Sequence, residues 1–470
     1  MIRRPHLSSS LCFVLPLLIL TAAPLGAQEP PVVRGELGQK LDSVARAAQA
    51  RGFHGNVLVV TGGDVVLLQG YGLANQAGGV PFGPSTVVQI GSNVKDITKV
   101  AILQLVEAGR LSLDDSLDRF FPKAPADKRG ITVRQLLEHR AGFPLGVGRD
   151  EEALPLQAFL DRLFARPLDF PPGTASQYSN AGYSVLAAII EQLTGRSFEA
   201  QVAESVFRRA GMYETGLLLP RFKPERVAHC YDGERDRGTM LDQPHTADGH
   251  YWNLRGNGGF VATVKDMHRF YRALRGSSLL ADSAHRAMVL KADEPTLLAG
   301  SDGYCFFIVG NFPRAGIEII VASNHAGFKA PALMDGLEEA AGIALAGGRR
   351  EVTAAPGGPR SRALPETGAG RTVAAYLEAF NSGDTTVMRR FFEAHALTGP
   401  GTAPMATRVS RTAGMHSELG RLSVESVRQT TVALEVVVRG ERGDRATLSF
   451  DIEPVAPFRM RSLRVEVGGG

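Results

Sequence analysis

Strand-like segments stand at both ends of one long stretch of this chain, with a helical middle between them. That placement restricts the fold more than any other feature. Near the start, Gly55–Val60 and Val65–Leu68 are short apolar runs joined by Thr61-Gly62-Gly63-Asp64, a hairpin pattern. Before them, Leu37, Leu41, Val44, Ala45 and Ala48 fall at helical spacing within Glu36–Ala50. From Gly91 the pattern turns helical. Ile97, Val100, Ala101, Leu103, Leu105 and Val106 make an apolar face that ends at Gly109. Further helices are read over Gly182–Thr194 and Val264–Leu274. Strand character returns at Tyr304–Val309 and Ile317–Ser323, and Leu333–Leu345 reads as a closing helix. A sheet begun by the early segments and completed by the late ones makes one α+β domain, residues 36–347.

The pattern then breaks and restarts. Residues 348–370, rich in Ala, Pro, Gly and Arg from Glu351 onward, have no periodicity and read as a linker. Beyond it, Val373, Tyr376, Leu377 and Phe380 mark a helix closed by Asn381-Ser382-Gly383-Asp384, and Phe391 and Phe392 mark another. Strand-like runs follow at Val432–Val438, Ala446–Ile452 and Met460–Val467. Residues 371–467 are thus a second, smaller α+β domain, of about 100 residues. At the other end, Arg3 and Arg4, the apolar Leu11–Leu20 and Leu25-Gly26-Ala27 have the form of a cleaved export signal over residues 1–27. Export to a periplasmic or extracellular location is therefore expected. No later stretch is long and apolar enough to span a membrane. A formal charge of +4, two units of it from Arg3 and Arg4, argues against a nucleic-acid-coating protein. With Cys12 in the signal, Cys230 and Cys305 remain, either as a disulfide or as two separate buried thiols.

Chemistry concentrates in Ile90-Gly91-Ser92-Asn93-Val94-Lys95, which opens a helix. Residues three apart share a helix face, so Ser92 and Lys95 point together. A serine hydroxyl needs a base. A lysine serves as one if burial and nearby positive potential lower its pKa. The helix N-terminus supplies that potential, and N–H groups for a developing oxyanion. The alternative is a solvated Lys95 with Ser92 as an N-cap. Gln177-Tyr178-Ser179-Asn180, just before the Gly182 helix, adds a phenol able to act as base and acid, and an amide able to hold a substrate. Its alternative is a capping turn satisfied by Asn180. Asp242, His245, Asp248 and His250 crowd one loop without regular ligand spacing and read as a polar loop. No metal and no organic cofactor is implied. There is no Gly-x-Ser-x-Gly elbow and no phosphate-cradling loop.

Taken in order, these motifs resemble the serine β-lactamase and penicillin-binding-protein-like hydrolases, closest to the class C branch. The supporting matches are Gly70-Tyr71-Gly72, Ser92 with Lys95, Gly109-Arg110-Leu111-Ser112-Leu113-Asp114-Asp115 and Ile131-Thr132-Val133-Arg134-Gln135-Leu136-Leu137. They continue with His139-Arg140-Ala141-Gly142-Phe143, Pro172-Gly173, Tyr178-Ser179-Asn180, Gly211-Met212 and Gly258-Gly259-Phe260 with Asp266. The resemblance implies a two-lobed fold, an antiparallel sheet flanked by helices beside an all-helical lobe, with the active site between. It also implies Ser92 as acyl-forming nucleophile, Lys95 as its base partner, Tyr178 as general base and acid, and Asn180 as a substrate contact. The Ser92 N–H would form half of an oxyanion hole. The family's third element, a Lys-Thr-Gly or His-x-Gly triplet on a strand, is expected between Met288 and Tyr304 and is not found there. Lys291-Ala292-Asp293, Leu297-Leu298-Ala299 and His325-Ala326-Gly327 are poor substitutes, although any residue such as Ala299 could donate the second oxyanion N–H.

The expected activity is an exported serine hydrolase acting on an ester or amide of a small molecule or peptide, cell-wall fragments among them. Loss of the triplet's cation turns the expectation from penicillin-like carboxylates to esters or uncharged amides. The alternative is a decayed hydrolase frame used for binding or regulation. The C-terminal segment around Tyr376-Leu377-Glu378-Ala379-Phe380 resembles the cone-shaped fold of nuclear transport factor 2 and its relatives, with a role in packing, dimerisation or substrate presentation.

Overall fold

The computed structural model describes residues 30–150, 152–218, 220–232, 234–243, 249–301, 304–325, 329–343, 364, 368–397, 405–429, 434–441, 443, 445–452 and 459–468. The expected export signal lies outside these residues, as does nearly all of the expected linker.

The early hairpin and the late strands join one antiparallel sheet. In spatial order its strands are Val32–Val33, Asp64–Tyr71, Gly55–Thr61, Ile317–Ser323, Phe306–Phe312 and Thr296–Ser301. Gly55–Thr61 pairs along its whole length with Ile317–Ser323, so Val57 stands opposite Val321. Residue parity then decides which side of the sheet each side chain faces. Val57, Val59, Ile308, Ile319 and Val321 pack with Leu41, Ala45, Leu333 and Leu337 of the flanking helices Gly35–Ala50 and Lys329–Ala340. Leu58, Val60, Phe307, Val309 and Ile320 join the second core, shared with the helical lobe. Both faces are covered, which is why these strands read as unbroken apolar runs rather than as alternation.

Two helices centre the second core. Val94–Glu107 buries Ile97, Val100 and Ala101, and Asn180–Thr194 buries Val185, Leu186 and Ile189. The second ends at Gly195, whose φ of 67° suits a glycine C-cap. Its N-cap is Ser179, whose Oγ accepts from the Gly182 N–H at 3.1 Å. Asn180, which the alternative reading offered as the cap, is left for other contacts.

Between Met288 and Tyr304, where the sequence shows no Lys-Thr-Gly or His-x-Gly triplet, the chain nevertheless forms a strand, Thr296–Ser301. It pairs with Phe306–Phe312 from Thr296 opposite Asn311 to Ser301 opposite Phe306, and forms the sheet edge. Its outer side is covered by the 3-10 turn Gly91–Asn93 that precedes Val94–Glu107.

Cys230 and Cys305 form a disulfide, which decides between the two states left open by the sequence. It ties the segment entering the small hairpin Tyr231–Asp232 and Arg235–Asp236 to the residue before Phe306–Phe312. Among the described residues no helix is long and apolar enough to cross a membrane.

Residues 368–468 have a core of their own. Helices Gly368–Asn381, Thr385–His395 and Met405–Leu419 precede four antiparallel strands, Leu422–Gln429, Leu434–Gly440, Arg445–Ile452 and Met460–Gly468, which pair in sequence order. Tyr376 anchors the unit, its ring 5.5 Å from that of Phe391 and 5.1 Å from that of Phe450. The third helix and the first of these strands extend the pattern read from sequence.

Candidate active site

Ser92 sits in the 3-10 turn, partly exposed between buried Gly91 and Asn93. Two contacts fix the turn. Asn93 Nδ2 donates to the Ile90 carbonyl at 2.9 Å and to the Phe307 carbonyl at 3.2 Å, across to the sheet. Gly91 takes φ of +49°, and a Cβ there would meet the Ser301 nitrogen at 2.4 Å. Only glycine allows this approach. Gly300 is equally constrained from the other side, since its Cβ would lie 2.0 Å from the Ile90 carbonyl oxygen and 2.8 Å from the Ser92 nitrogen. Turn and strand therefore touch backbone to backbone.

Lys95 lies one helical turn on, and its Nζ reaches Ser92 Oγ at 3.2 Å and the Asn257 carbonyl at 2.8 Å. Asn257 belongs to the Gly258-Gly259 turn and is held by its own Nδ2, which donates to Ser184 Oγ and the Asn253 carbonyl. The lysine is buried. Burial pushes its pKa well below the ordinary value, and the neighbouring Lys99 cation adds to the effect. Asp150 and Asp96 oppose it. The solvated lysine considered from sequence is thus excluded by the geometry.

Tyr178 closes the group, donating from its hydroxyl to Ser92 Oγ at 2.7 Å. The Lys95 ammonium nitrogen also lies 4.7 Å from the Tyr178 ring centre. Burial raises the phenol's pKa above its usual value, with the hydrogen bond to Ser92 working against the rise. Tyr178 is therefore a neutral phenol in the resting protein, and Lys95 the group whose proton is loosened. Behind the phenol stands His139, its ring packed at a tilt 4.6 Å from that of Tyr178 and 4.9 Å from that of Tyr183. Its Nδ1 accepts from the Ser179 N–H at 3.1 Å, which fixes the tautomer. Burial, with Lys95 and Lys99 nearby, pushes the imidazole down to about 3, so it remains uncharged.

Three of the four residues singled out from sequence therefore converge on one atom. Asn180 sits at the same helix start. Its N–H donates to the Leu145 carbonyl at 2.8 Å, and its buried Oδ1 meets no hydrogen-bond donor among the described residues. The contributions of His139, Asn257 and Thr296–Ser301 were not foreseen as such. His139 was visible only as one letter of a motif, and Asn257 acts through a carbonyl that every residue type carries.

The weaker candidates lie elsewhere. His325 stacks on Tyr231 at 5.0 Å and its Nε2 meets Gln76 Nε2 at 2.9 Å, beyond the last strand. Lys291 pairs with Glu294 on the surface. Asp242 accepts from the Thr239 N–H and hydroxyl, while His245 and Asp248 lie outside the described residues.

Residues 41–308 match the Beta-lactamase family. Penicillin-binding protein 4* of Bacillus subtilis (strain 168) is 31% identical over 237 residues, 47% of this chain. The chain spans about half, 52%, of that relative's length. Esterase EstB of Burkholderia gladioli is 29% identical over 311 residues, covering 57% of this chain and 79% of the esterase. Among solved structures, a penicillin binding protein from Bacillus halodurans superposes with a TM-score of 0.55 at 26% identity, covering 64% of this chain and 99% of that one.

Proposed function

We propose, since this chain belongs to the Beta-lactamase family of serine hydrolases, that it cleaves an ester or amide through an acyl intermediate on Ser92. The observation that carries this reading is the convergence of Lys95 Nζ and Tyr178 OH on Ser92 Oγ, at 3.2 Å and 2.7 Å. A positioned base and a positioned acid on one hydroxyl are what a serine nucleophile requires.

The directions of the pKa shifts divide the labour. Lys95, depressed by burial, has a neutral amine available to take the Ser92 proton as Oγ attacks the substrate carbonyl carbon. The carbonyl π electrons move to oxygen, and the Ser92 and Ser301 N–H groups flank the place where that charge forms. This assigns the second donor to Ser301 rather than to Ala299, because the Ser301 nitrogen is the one that meets the Gly91-Ser92 turn. Tyr178, still a phenol, gives its proton to the leaving oxygen or nitrogen as the scissile bond breaks. The Lys95 ammonium then reprotonates Tyr178. Water attacks the acyl-serine, giving its proton to Lys95, and as the C–Oγ bond breaks and the acid leaves, that proton returns through the Lys95–Tyr178 pair to Ser92 Oγ. His139, uncharged and packed against the phenol, keeps the Tyr178 ring in line without competing for the proton.

Leu298-Ala299-Gly300 stands where a Lys-Thr-Gly or His-x-Gly triplet was sought, with the close-packing glycine present and the cation replaced by leucine. This supports an esterase or peptidase rather than a penicillin-hydrolysing enzyme. The alternative of a decayed binding frame rests on the missing triplet, and the strand Thr296–Ser301 beside the Ser92 turn favours the hydrolase over it. Export is part of the proposal, supported by the signal-like first 27 residues and by the Cys230–Cys305 disulfide, a bond suited to an oxidising compartment. The C-terminal unit, three helices against a four-stranded sheet, fits a nuclear-transport-factor-2-like cone.

A stopped-flow assay with p-nitrophenyl butyrate tests the two-step course. The expected trace is a burst of nitrophenol, about one equivalent per protein, followed by a slower steady rate. Absence of turnover with this ester and with a panel of short acyl amides would leave the acyl-enzyme reading without support.

A further inference from the structure

Beside the site lies a cleft that the proposed chemistry does not use. Gln89, Asp150, Arg237, Gln243 and Tyr304 are among the residues lining it. Gln89 is three residues before Ser92, and Asp150 is close enough to bear electrostatically on both Lys95 and Tyr178. The cleft therefore adjoins the Ser92 centre. Its one described cationic side chain is Arg237, and that guanidinium makes no ion pair among the described residues. It lies over the Tyr304 ring instead, 4.4 Å from the ring centre.

An arginine stacked on an aromatic face keeps its edge of five N–H donors available, and that edge matches a carboxylate. The two halves of this arrangement come from distant parts of the chain and are locked together. The Arg237 N–H donates to the Cys230 carbonyl, and the Cys230 N–H donates to the Gly238 carbonyl, each at 2.9 Å. Cys230 is bonded to Cys305, the residue after Tyr304. Guanidinium and platform are thus joined through a disulfide one residue from the ring. Side-chain entropy that would oppose ligand capture is reduced in advance.

We infer that Arg237 is a specificity-determining residue that holds a carboxylate of the substrate. This rests on, and refines, the hydrolase reading. The strand carries Leu298 where a cation was sought, and the cleft carries Arg237. The substrate carries its free carboxylate on the part that reaches Tyr304. Asp150, in the same cleft toward Lys95, requires that the portion nearer the scissile bond be neutral or cationic. Small N-acyl amino acids and peptides with a free carboxyl end have this distribution.

The test is a binding measurement that needs no turnover, so it stands apart from the fate of the acyl-enzyme. Titration calorimetry on the full chain compares N-benzoylglycine with N-benzoylglycinamide, which differ only in the carboxylate. The wild-type protein is expected to bind the carboxylate about tenfold tighter or better, with the preference shrinking as salt is added. Arg237→Gln should remove the preference, bringing the carboxylate's affinity down to that of the amide. Arg237→Lys should restore only part of it, because a lysine keeps the charge and loses the fork. Tyr304→Leu should weaken it by loosening the guanidinium, and melting curves identify any variant that fails to fold. Equal affinity of the wild type for the two probes, or a full preference surviving in Arg237→Gln, would overturn the assignment.

Discussion

Replacing Ser92 by alanine is expected to lower kcat for p-nitrophenyl butyrate by about 10⁴-fold or more, as when the nucleophile of another serine hydrolase is removed. The fold should hardly register the change. Ser92 is partly exposed, its turn is pinned by Asn93 rather than by its own hydroxyl, and the lost atoms leave no apolar cavity. A surface-like substitution of this kind shifts stability by no more than about 0.5 kcal/mol. Steady-state hydrolysis and a thermal melt on the same preparation separate the two effects. A Ser92→Ala protein that keeps a tenth of its activity would mean that another group attacks the ester.

Lys95→Met is expected to produce the second largest effect, about 10²–10⁴-fold in the rate of acylation, the usual worth of a positioned base. It also carries a stability signature that a merely structural lysine would lack. The folded-state pKa of Lys95 lies well below its ordinary 10.5. Between those two values the unfolded chain binds more protons than the native one, so native stability rises with pH across the interval. The slope contributed by this one group is about 1.4 kcal/mol per pH unit while both conditions hold. Lys95→Met removes the contribution. Its stability relative to wild type should be greatest below the folded-state pKa of Lys95 and should fall as pH rises from there toward 10.5. The loss of the bond to the Asn257 carbonyl, costing about 1–3 kcal/mol, shifts the whole curve without changing its slope. The wild-type rate should follow the same group from the other side, rising with pH as Lys95 deprotonates. Denaturant melts at pH 6 to 10 check the slope, and parallel curves for the two proteins would contradict the base assignment.

The parts of this molecule that were readable from the sequence are those encoded locally. Ser92 and Lys95 meet because positions three apart on a helix must. The strands Gly55–Thr61 and Ile317–Ser323 were legible because two buried faces leave uninterrupted apolar runs. Thr296–Ser301 was not, because six residues with glycine at the fifth carry little strand signal, and the cation that would have marked them is absent. What identifies the strand is Gly300 against Ile90, a contact more than 200 residues apart in the chain. Leu422–Gln429 escaped for a different reason. A bulge between Val424 and Ser426 breaks the alternation on which strand recognition depends. Tyr178 was legible as a motif, but its neutral state was not. That state follows from burial beside His139 and Tyr183, which only packing provides. Arg237 had no local signal, since its partner Tyr304 is reached through a disulfide.

A covalent acyl-enzyme on Ser92 Oγ can be trapped directly. The full chain is incubated with a fluorophosphonate probe, digested, and its peptides are sequenced by mass spectrometry beside a serine hydrolase of known reactivity. One stoichiometric adduct is expected on Ser92, formed more slowly in Lys95→Met and absent from Ser92→Ala. An unmodified Ser92 under conditions that label the control, or an adduct on a different serine, would contradict it.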